Sequence, residues 1–154
     1  MKNYRWLLIL CIVFIIAVVG TMGWLLWQRL DAVDYETRLI QAFGSGEPVT
    51  AEMDGVKTEV MVYNCEKLRS LLSITERERT RHDPDPEKQT MVIRVGERMT
   101  VTVENGDEAL DEVFVTAQSG VWKRSFRIAG YDSFHWITRT AGPEGYYGPN
   151  PVVE

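Results

Sequence analysis

One thiol and two imidazoles are the side chains of this sequence best suited to nucleophilic or acid–base chemistry. Cys65 precedes a stretch with helical periodicity, and a helix N-terminus lowers the pKa of a nearby thiol and favours the nucleophilic thiolate. His135 would then be the general base. No local spacing joins either histidine to Cys65. A small hydrophobic role for Cys65 is therefore the favoured interpretation.

A second group of chemically able side chains has the ligand types for a divalent cation: His82, Asp83, Asp85 and Glu87. A calcium loop of the EF-hand type needs a turn-forming glycine and a distal bidentate glutamate at fixed offsets. Neither offset is met here, and two prolines within the group restrict how the segment could wrap an ion. We predict solvated loop charge and no metal site.

The sequence also lacks the local signatures of the commoner enzyme classes. It contains no glycine-rich phosphate loop, no Gly-x-Ser-x-Gly elbow, no His-Glu-x-x-His and no cysteine pair with zinc spacing. Hydrolase, kinase and metalloprotease hypotheses therefore have no support, and we predict neither catalytic residues nor a cofactor.

Basic and aromatic side chains of the C-terminal third are the candidates for binding a partner. If the apolar residues around position 125 lie on the strand face that packs in the core, Lys123 and Arg127 lie on the opposite face and form a positive strip. Such a strip could bind an acidic protein or a cell-wall polymer, although plain solvated sheet surface is the favoured interpretation. Tyr146 and Tyr147 would add aromatic contacts from an extended tail.

The element that must position all these candidates is an uncharged apolar run over residues 6–27. A helix of this length reaches roughly 33 Å at about 1.5 Å per residue, which matches a hydrocarbon core of about 30 Å. Trp6, Trp24 and Trp27 fall at headgroup depth. We predict an uncleaved transmembrane anchor. A signal peptide cleaved after Gly20 or Gly23 is the alternative, since a basic start and an apolar run describe both.

Charge around this run predicts its orientation. Lys2 and Arg5 precede it, so the positive-inside rule places the N-terminus in the cytoplasm and the rest outside. The part after residue 27 carries 15 basic and 22 acidic residues, a net charge of −7. Nucleic acid and anionic lipid surfaces are therefore poor partners. Within the run, Ala17 and Thr21 form a small-xxx-small pair that would allow a homodimer.

Turn signals predict an α+β domain after the anchor, with a mostly antiparallel sheet of about six strands and two or three short helices. Asp54-Gly55 and Gly96-Glu97 each separate two alternating apolar runs. Asn64 is a predicted N-cap for a helix, and Asp132 or Ser133 begins either a last helix or a further strand. Residues 75–88 are predicted to be an exposed loop because of their charge and prolines.

The predicted organisation is a cytoplasmic tail (residues 1–5), an anchor (6–27), a juxtamembrane helix or linker (28–47), an extracytoplasmic domain (48–142) and an extended tail (143–154). Two hypotheses about function follow. The first is a non-catalytic interaction or sensor module at the cell envelope, with a protein or cell-wall partner. The second is an envelope enzyme whose fold gathers Cys65, His82 and His135 into one site.

Overall fold

The structure of the chain is a computed structural model, and it describes residues 2–73, 77–106 and 111–153. Its elements, in chain order, are α1 (Lys2–Phe43), β1 (Val49–Met53), β2 (Val56–Val60), α2 (Val62–Leu72), β3 (Arg77–Thr80), β4 (Thr90–Val95), β5 (Met99–Asn105), β6 (Glu112–Ser119), β7 (Trp122–Ala129), α3 (Ser133–Ala141) and β8 (Val152–Val153). This architecture confirms the predicted α+β class.

All eight strands of the described residues form one antiparallel sheet in the order β3-β7-β6-β5-β4-β1-β2-β8. Side chains alternate between two faces along each strand, so residues paired across neighbouring strands share a face. Ile93, Val101 and Phe126 lie on the inner face and are fully buried beneath the helices. Burial of such a side chain contributes about 1.5–3 kcal/mol, which makes this face the main source of stability.

Helix α1 is continuous for 42 residues and has two environments. It is long and apolar enough to cross a membrane, and none of its most apolar window is buried within the protein. Its last turns differ, because Tyr35, Leu39 and Ala42 recur at helical spacing and lie in the core. Most of the segment predicted to be a juxtamembrane helix or linker is therefore helical, and its final turns pack in the domain.

Tyr35 joins α1 to α2 directly. Its hydroxyl donates a hydrogen bond of 2.9 Å to the carbonyl oxygen of Leu72, and its ring contacts Phe126 at a centroid distance of 4.7 Å. Burial raises the pKa of Tyr35 well above its ordinary value, so the hydroxyl stays protonated and remains a donor. The end of the apolar helix is thus fixed to the domain by both packing and a buried hydrogen bond.

The predicted hairpins form as their turn residues require. Asp54 and Gly55 adopt φ values of 51° and 78°, the left-handed pair that a two-residue turn between twisted strands needs. Gly96, with φ of 50°, turns the chain between β4 and β5. The last helix begins at Ser133, so the helical alternative for this segment is correct and the strand alternative is wrong.

Two strands were not predicted, which explains why the sheet has more than the six strands expected. Strand β3 lies inside residues 75–88, the segment predicted to be an exposed loop; the first two residues of that segment lie outside the described residues. Strand β8 lies in the predicted tail and pairs with β2. Neither strand shows the apolar alternation of a half-buried strand, because β3 consists of Arg, Glu, Arg and Thr and β8 is two residues long.

Candidate functional site

The three catalytic candidates lie in three separate places. Cys65 is half-buried on α2 beside the inner face, His82 stacks on Phe114 of the outer face, and His135 is exposed on α3. Among the described residues, no hydrogen bond or ring contact joins any two of them. This arrangement offers no nucleophile–base pair of the kind that covalent catalysis requires.

The surroundings of Cys65 oppose an activated thiolate. Its sulfur lies 3.5 Å from the carbonyl oxygen of Val60, to which the thiol donates, and burial raises the pKa of the thiol above its ordinary value. A raised pKa lowers the thiolate fraction at neutral pH, and the thiolate is the reactive form.

This environment predicts slow alkylation of Cys65. In a Cys11→Ser variant, which leaves one thiol, we expect iodoacetamide at pH 8 to react with the folded protein at least about tenfold more slowly than with the denatured chain. The rate should rise with pH beyond the range where an unfolded cysteine is already ionised. A folded protein that reacts faster than the denatured chain at pH 7 would contradict this expectation and revive the nucleophile hypothesis.

His82 has a structural role on the outer face. Its Nε2 lies 2.8 Å from Oε1 of Glu104, whose other oxygen accepts a 2.9 Å hydrogen bond from the backbone amide of Asp85. The His82 ring stacks on Phe114 at a centroid distance of 4.0 Å. These contacts fold the charged loop over Glu104, which is buried. No group of three or more potential metal ligands occurs in the described ranges.

The predicted positive strip is partly neutralised. Lys123 and Arg127 both lie on the outer face, but Arg127 is 2.5 Å from a carboxylate oxygen of Glu78 and 3.0 Å from one of Glu112. Lys123 is exposed and makes no ion pair with the residues that the structure describes. Arg127 therefore stabilises the pairing of β3, β7 and β6, and only Lys123 keeps an uncompensated charge.

Tyr146 and Tyr147 belong to a larger group that we call the aromatic patch, formed by the exposed Tyr63, Tyr146 and Tyr147 and the half-buried Trp136. The rings of Trp136 and Tyr146 lie 5.8 Å apart, and those of Tyr146 and Tyr147 lie 4.7 Å apart, both edge to face. The ammonium of Lys67 lies 4.6 Å from the centre of the Tyr146 ring. Tyr147 is 68% exposed and Tyr63 is 45% exposed, so the patch is open to solvent.

Asn64 holds the patch in place, which corrects its predicted role as an N-cap. Helix α2 begins at Val62, after Met61, and Asn64 lies fully buried inside the first turn. Its Oδ1 accepts hydrogen bonds from the amides of Tyr146 and Tyr147 at 3.1 and 2.9 Å. Its Nδ2 donates to the Gly148 carbonyl at 2.8 Å and to Oδ1 of a second buried asparagine, Asn150, at 2.9 Å.

Asn150 and the glycines complete this bracket. The Asn150 amide nitrogen donates to the carbonyl oxygens of Thr140 and Gly142 at 2.9 and 2.7 Å, which ties the segment to the end of α3. Gly145 has φ of 65°, and an added Cβ would lie 1.7 Å from the Gly148 carbonyl oxygen. The two tyrosines therefore project from a backbone that is fixed by buried hydrogen bonds, although the tail was predicted to be merely extended.

Comparisons of this α+β chain with family models, with curated proteins and with solved structures gave no match.

Proposed function

We propose that the protein is a single-pass, membrane-tethered interaction module of the cell envelope, non-catalytic, which binds a protein partner through the aromatic patch. The observation that carries this proposal is the aromatic patch itself, which combines three exposed tyrosines with the half-buried Trp136. Tyr146 and Tyr147 lie on a segment whose backbone Asn64 holds by three hydrogen bonds. Rings held in advance lose little conformational freedom on binding, so more of their contact energy remains as affinity.

Tethering and orientation rest on α1 and on charge. The apolar window of α1 is exposed along its length, which suits contact with lipid. Lys2 and Arg5 at the short end support a cytoplasmic N-terminus, and a single span then leaves the domain on the extracytoplasmic side. In this arrangement residues 6–27 serve as an uncleaved signal-anchor.

The position of the patch also favours a protein partner. Strand β3 lies at one sheet edge, beside the part of α1 that contains Trp27. The segment that carries Tyr146 and Tyr147 leads into β8 at the opposite edge. Seven strand spacings of about 4.8 Å separate the two edges by roughly 34 Å. Tyrosine and tryptophan side chains are enriched among protein-binding hot spots. The separation of Cys65, His82 and His135 gives the enzyme hypothesis no comparable support.

The test compares two exposed tyrosines. Full-length tagged protein is purified from its native membranes in a gentle detergent, and co-purifying proteins are quantified by mass spectrometry. Tyr147→Ala removes a ring of the aromatic patch, whereas Tyr131→Ala removes a ring that is 85% exposed and lies outside it. We expect a stoichiometric partner whose yield falls at least about tenfold with Tyr147→Ala, the size of a hot-spot effect, and stays near wild type with Tyr131→Ala.

Two results would overturn the proposal. Recovery of the protein without any stoichiometric partner would contradict the proposed binding function. A partner retained equally by both variants would show that binding does not use the aromatic patch.

A further inference from the structure

A cleft of about 580 Å³ opens between α1 and the strands β3 and β7, at the level where α1 leaves its apolar run. Its walls combine two tryptophans with four cationic side chains: Trp24, Trp27, Arg79, Arg81, Lys123 and Arg124. Thr80 and Ser125 also line it. Among the described residues, those that line the cleft include no carboxylate, although the domain as a whole is acidic.

The positive charge of the cleft is only partly compensated. Asp31 is the nearest counter-ion, and it is shared between Arg79 at 2.5 Å and Arg124 at 3.4 Å. Arg81 and Lys123 are exposed and form no ion pair within the described part of the chain. The pairing of Thr80 with Ser125 brings together two short basic runs that are more than forty residues apart in sequence. The net negative charge of the domain gives no sign of a basic surface. The pairing of β3 with β7 nevertheless creates one.

The cleft lies at headgroup depth if α1 spans the bilayer. Trp24 and Trp27 mark the end of the apolar run, where indole rings suit the membrane interface. The Arg79 guanidinium stacks over the Trp27 ring at 4.2 Å, which fixes a cation at that depth. A phosphate group at this level would meet several cationic donors, and charge-assisted hydrogen bonds to phosphate are among the stronger polar contacts in proteins.

A second groove, of about 510 Å³, runs along the apolar part of α1 beside the first. It shares Gln28 and Arg79 with the cleft, and its apolar wall is formed by Met22, Leu25 and Leu26. One molecule with a phosphate headgroup and an acyl chain would therefore find charge in the cleft and apolar surface in the groove. A free phosphate ion has no apolar part that could occupy the groove.

We propose that this cleft binds the phosphate-bearing headgroup of an anionic membrane lipid, whose acyl chain lies along the adjoining apolar groove. The proposal rests on the membrane placement given in the proposed function. It adds a ligand class and a binding site that are independent of the aromatic patch.

The experiment uses full-length protein in mild detergent, titrated with phosphatidylglycerol or with phosphatidylcholine, and counts bound lipid by native mass spectrometry. Wild-type protein should bind phosphatidylglycerol more tightly than phosphatidylcholine. Arg81→Gln combined with Lys123→Gln should lower the affinity for phosphatidylglycerol about 25-fold, since each cation near an anionic lipid surface is worth about fivefold. A matched control, Lys57→Gln with Lys88→Gln, removes two exposed cations elsewhere and should change affinity less than about twofold.

Inorganic phosphate forms a third arm of the experiment. Equal affinity for the two lipids, or equal losses in the two double variants, would overturn the proposal. Displacement of phosphatidylglycerol by inorganic phosphate at similar concentrations would also overturn it, because the site would then recognise a soluble anion. Failure of the membrane placement is recognised separately: alkaline carbonate would extract the protein from native membranes whatever its lipid preference.

Discussion

Replacement of Asn64 by alanine should destabilise the folded domain by about 3–5 kcal/mol, a large part of the stability of a domain of this size. The substitution leaves the amides of Tyr146 and Tyr147 without their acceptor, and it deprives Gly148 and Asn150 of a donor. Each buried group left unpaired costs about 1–3 kcal/mol. The loss should therefore far exceed that of an ordinary surface substitution, which is usually within about 0.5 kcal/mol.

Chemical denaturation of the full-length protein measures this loss, and two variants calibrate it. Asn64→Asp keeps the acceptor for the two tyrosine amides but loses both donated bonds, so its cost should exceed that of a surface change. Asn105→Ala is the matched control, because the Asn105 side chain makes no hydrogen bond in the described residues. Equal midpoints for Asn64→Ala and Asn105→Ala would show that the bracket does not stabilise the domain.

Release of the C-terminal segment should accompany the loss of stability. In Asn64→Ala, limited proteolysis should cleave residues 143–153 before the sheet is attacked, since exposed segments without fixed backbone bonds are the preferred sites of nicking. Because the same segment carries Tyr146 and Tyr147, partner recovery should fall as well. Destabilisation without early cleavage of this segment would place the damage in α2 instead.

Much of the sheet could be predicted because local sequence signals determine it. The strands on either side of Asp54-Gly55 alternate apolar and polar residues, and the turn residues themselves demand a hairpin. The same holds for β4 and β5, whose inner residues Ile93 and Val101 pair across the sheet. Pattern and turn chemistry agree in these strands, so neighbouring residues alone specify the structure.

Strand β3 could not be predicted because its stabilising partners are distant in sequence. Arg77 and Arg79 point to the inner face, where a strand normally places apolar residues. They are accepted there because α1 supplies carboxylates: Glu36 lies 3.1 Å from Arg77, and Asp31 lies 2.5 Å from Arg79. Buried cations are tolerated when they are paired, but sequence alternation does not reveal the partner.

The candidate site was only partly visible in the sequence for a similar reason. Tyr146 and Tyr147 are identifiable in the sequence as candidate aromatic contacts, whereas the third ring of their ladder, Trp136, belongs to α3, and no local sequence signal links it to them. Asn64 has the residue type and position of an N-cap, and only the path of the tail shows that its amide serves buried backbone groups. Contacts among α2, α3 and the tail are therefore what define the site.

Neutralising Asp31 should weaken the docking of α1 on β3 and β7. Asp31→Asn keeps the size of the side chain but removes the charge shared by Arg79 and Arg124, whose side chains are only 24% and 35% exposed. Breaking a fully buried ion pair costs about 3–5 kcal/mol, and solvent screening of these partly exposed arginines lowers the expected loss to about 2–3 kcal/mol. The loss should appear as a lower denaturation midpoint of the full-length protein.

Asp34→Asn is the matched control for this change, one turn further along the same helix. Asp34 is 42% exposed and pairs with Arg38 four residues later, an arrangement worth only about 0.3–0.5 kcal/mol. If the two variants lose equal stability, the shared ion pair is not what docks α1 on β3 and β7. If Asp31→Asn alone is destabilised, amide hydrogen exchange should also become faster in β3 before it does in the central strands. Strand β3 has a single neighbouring strand, and its arginines depend on α1 for their carboxylate partners.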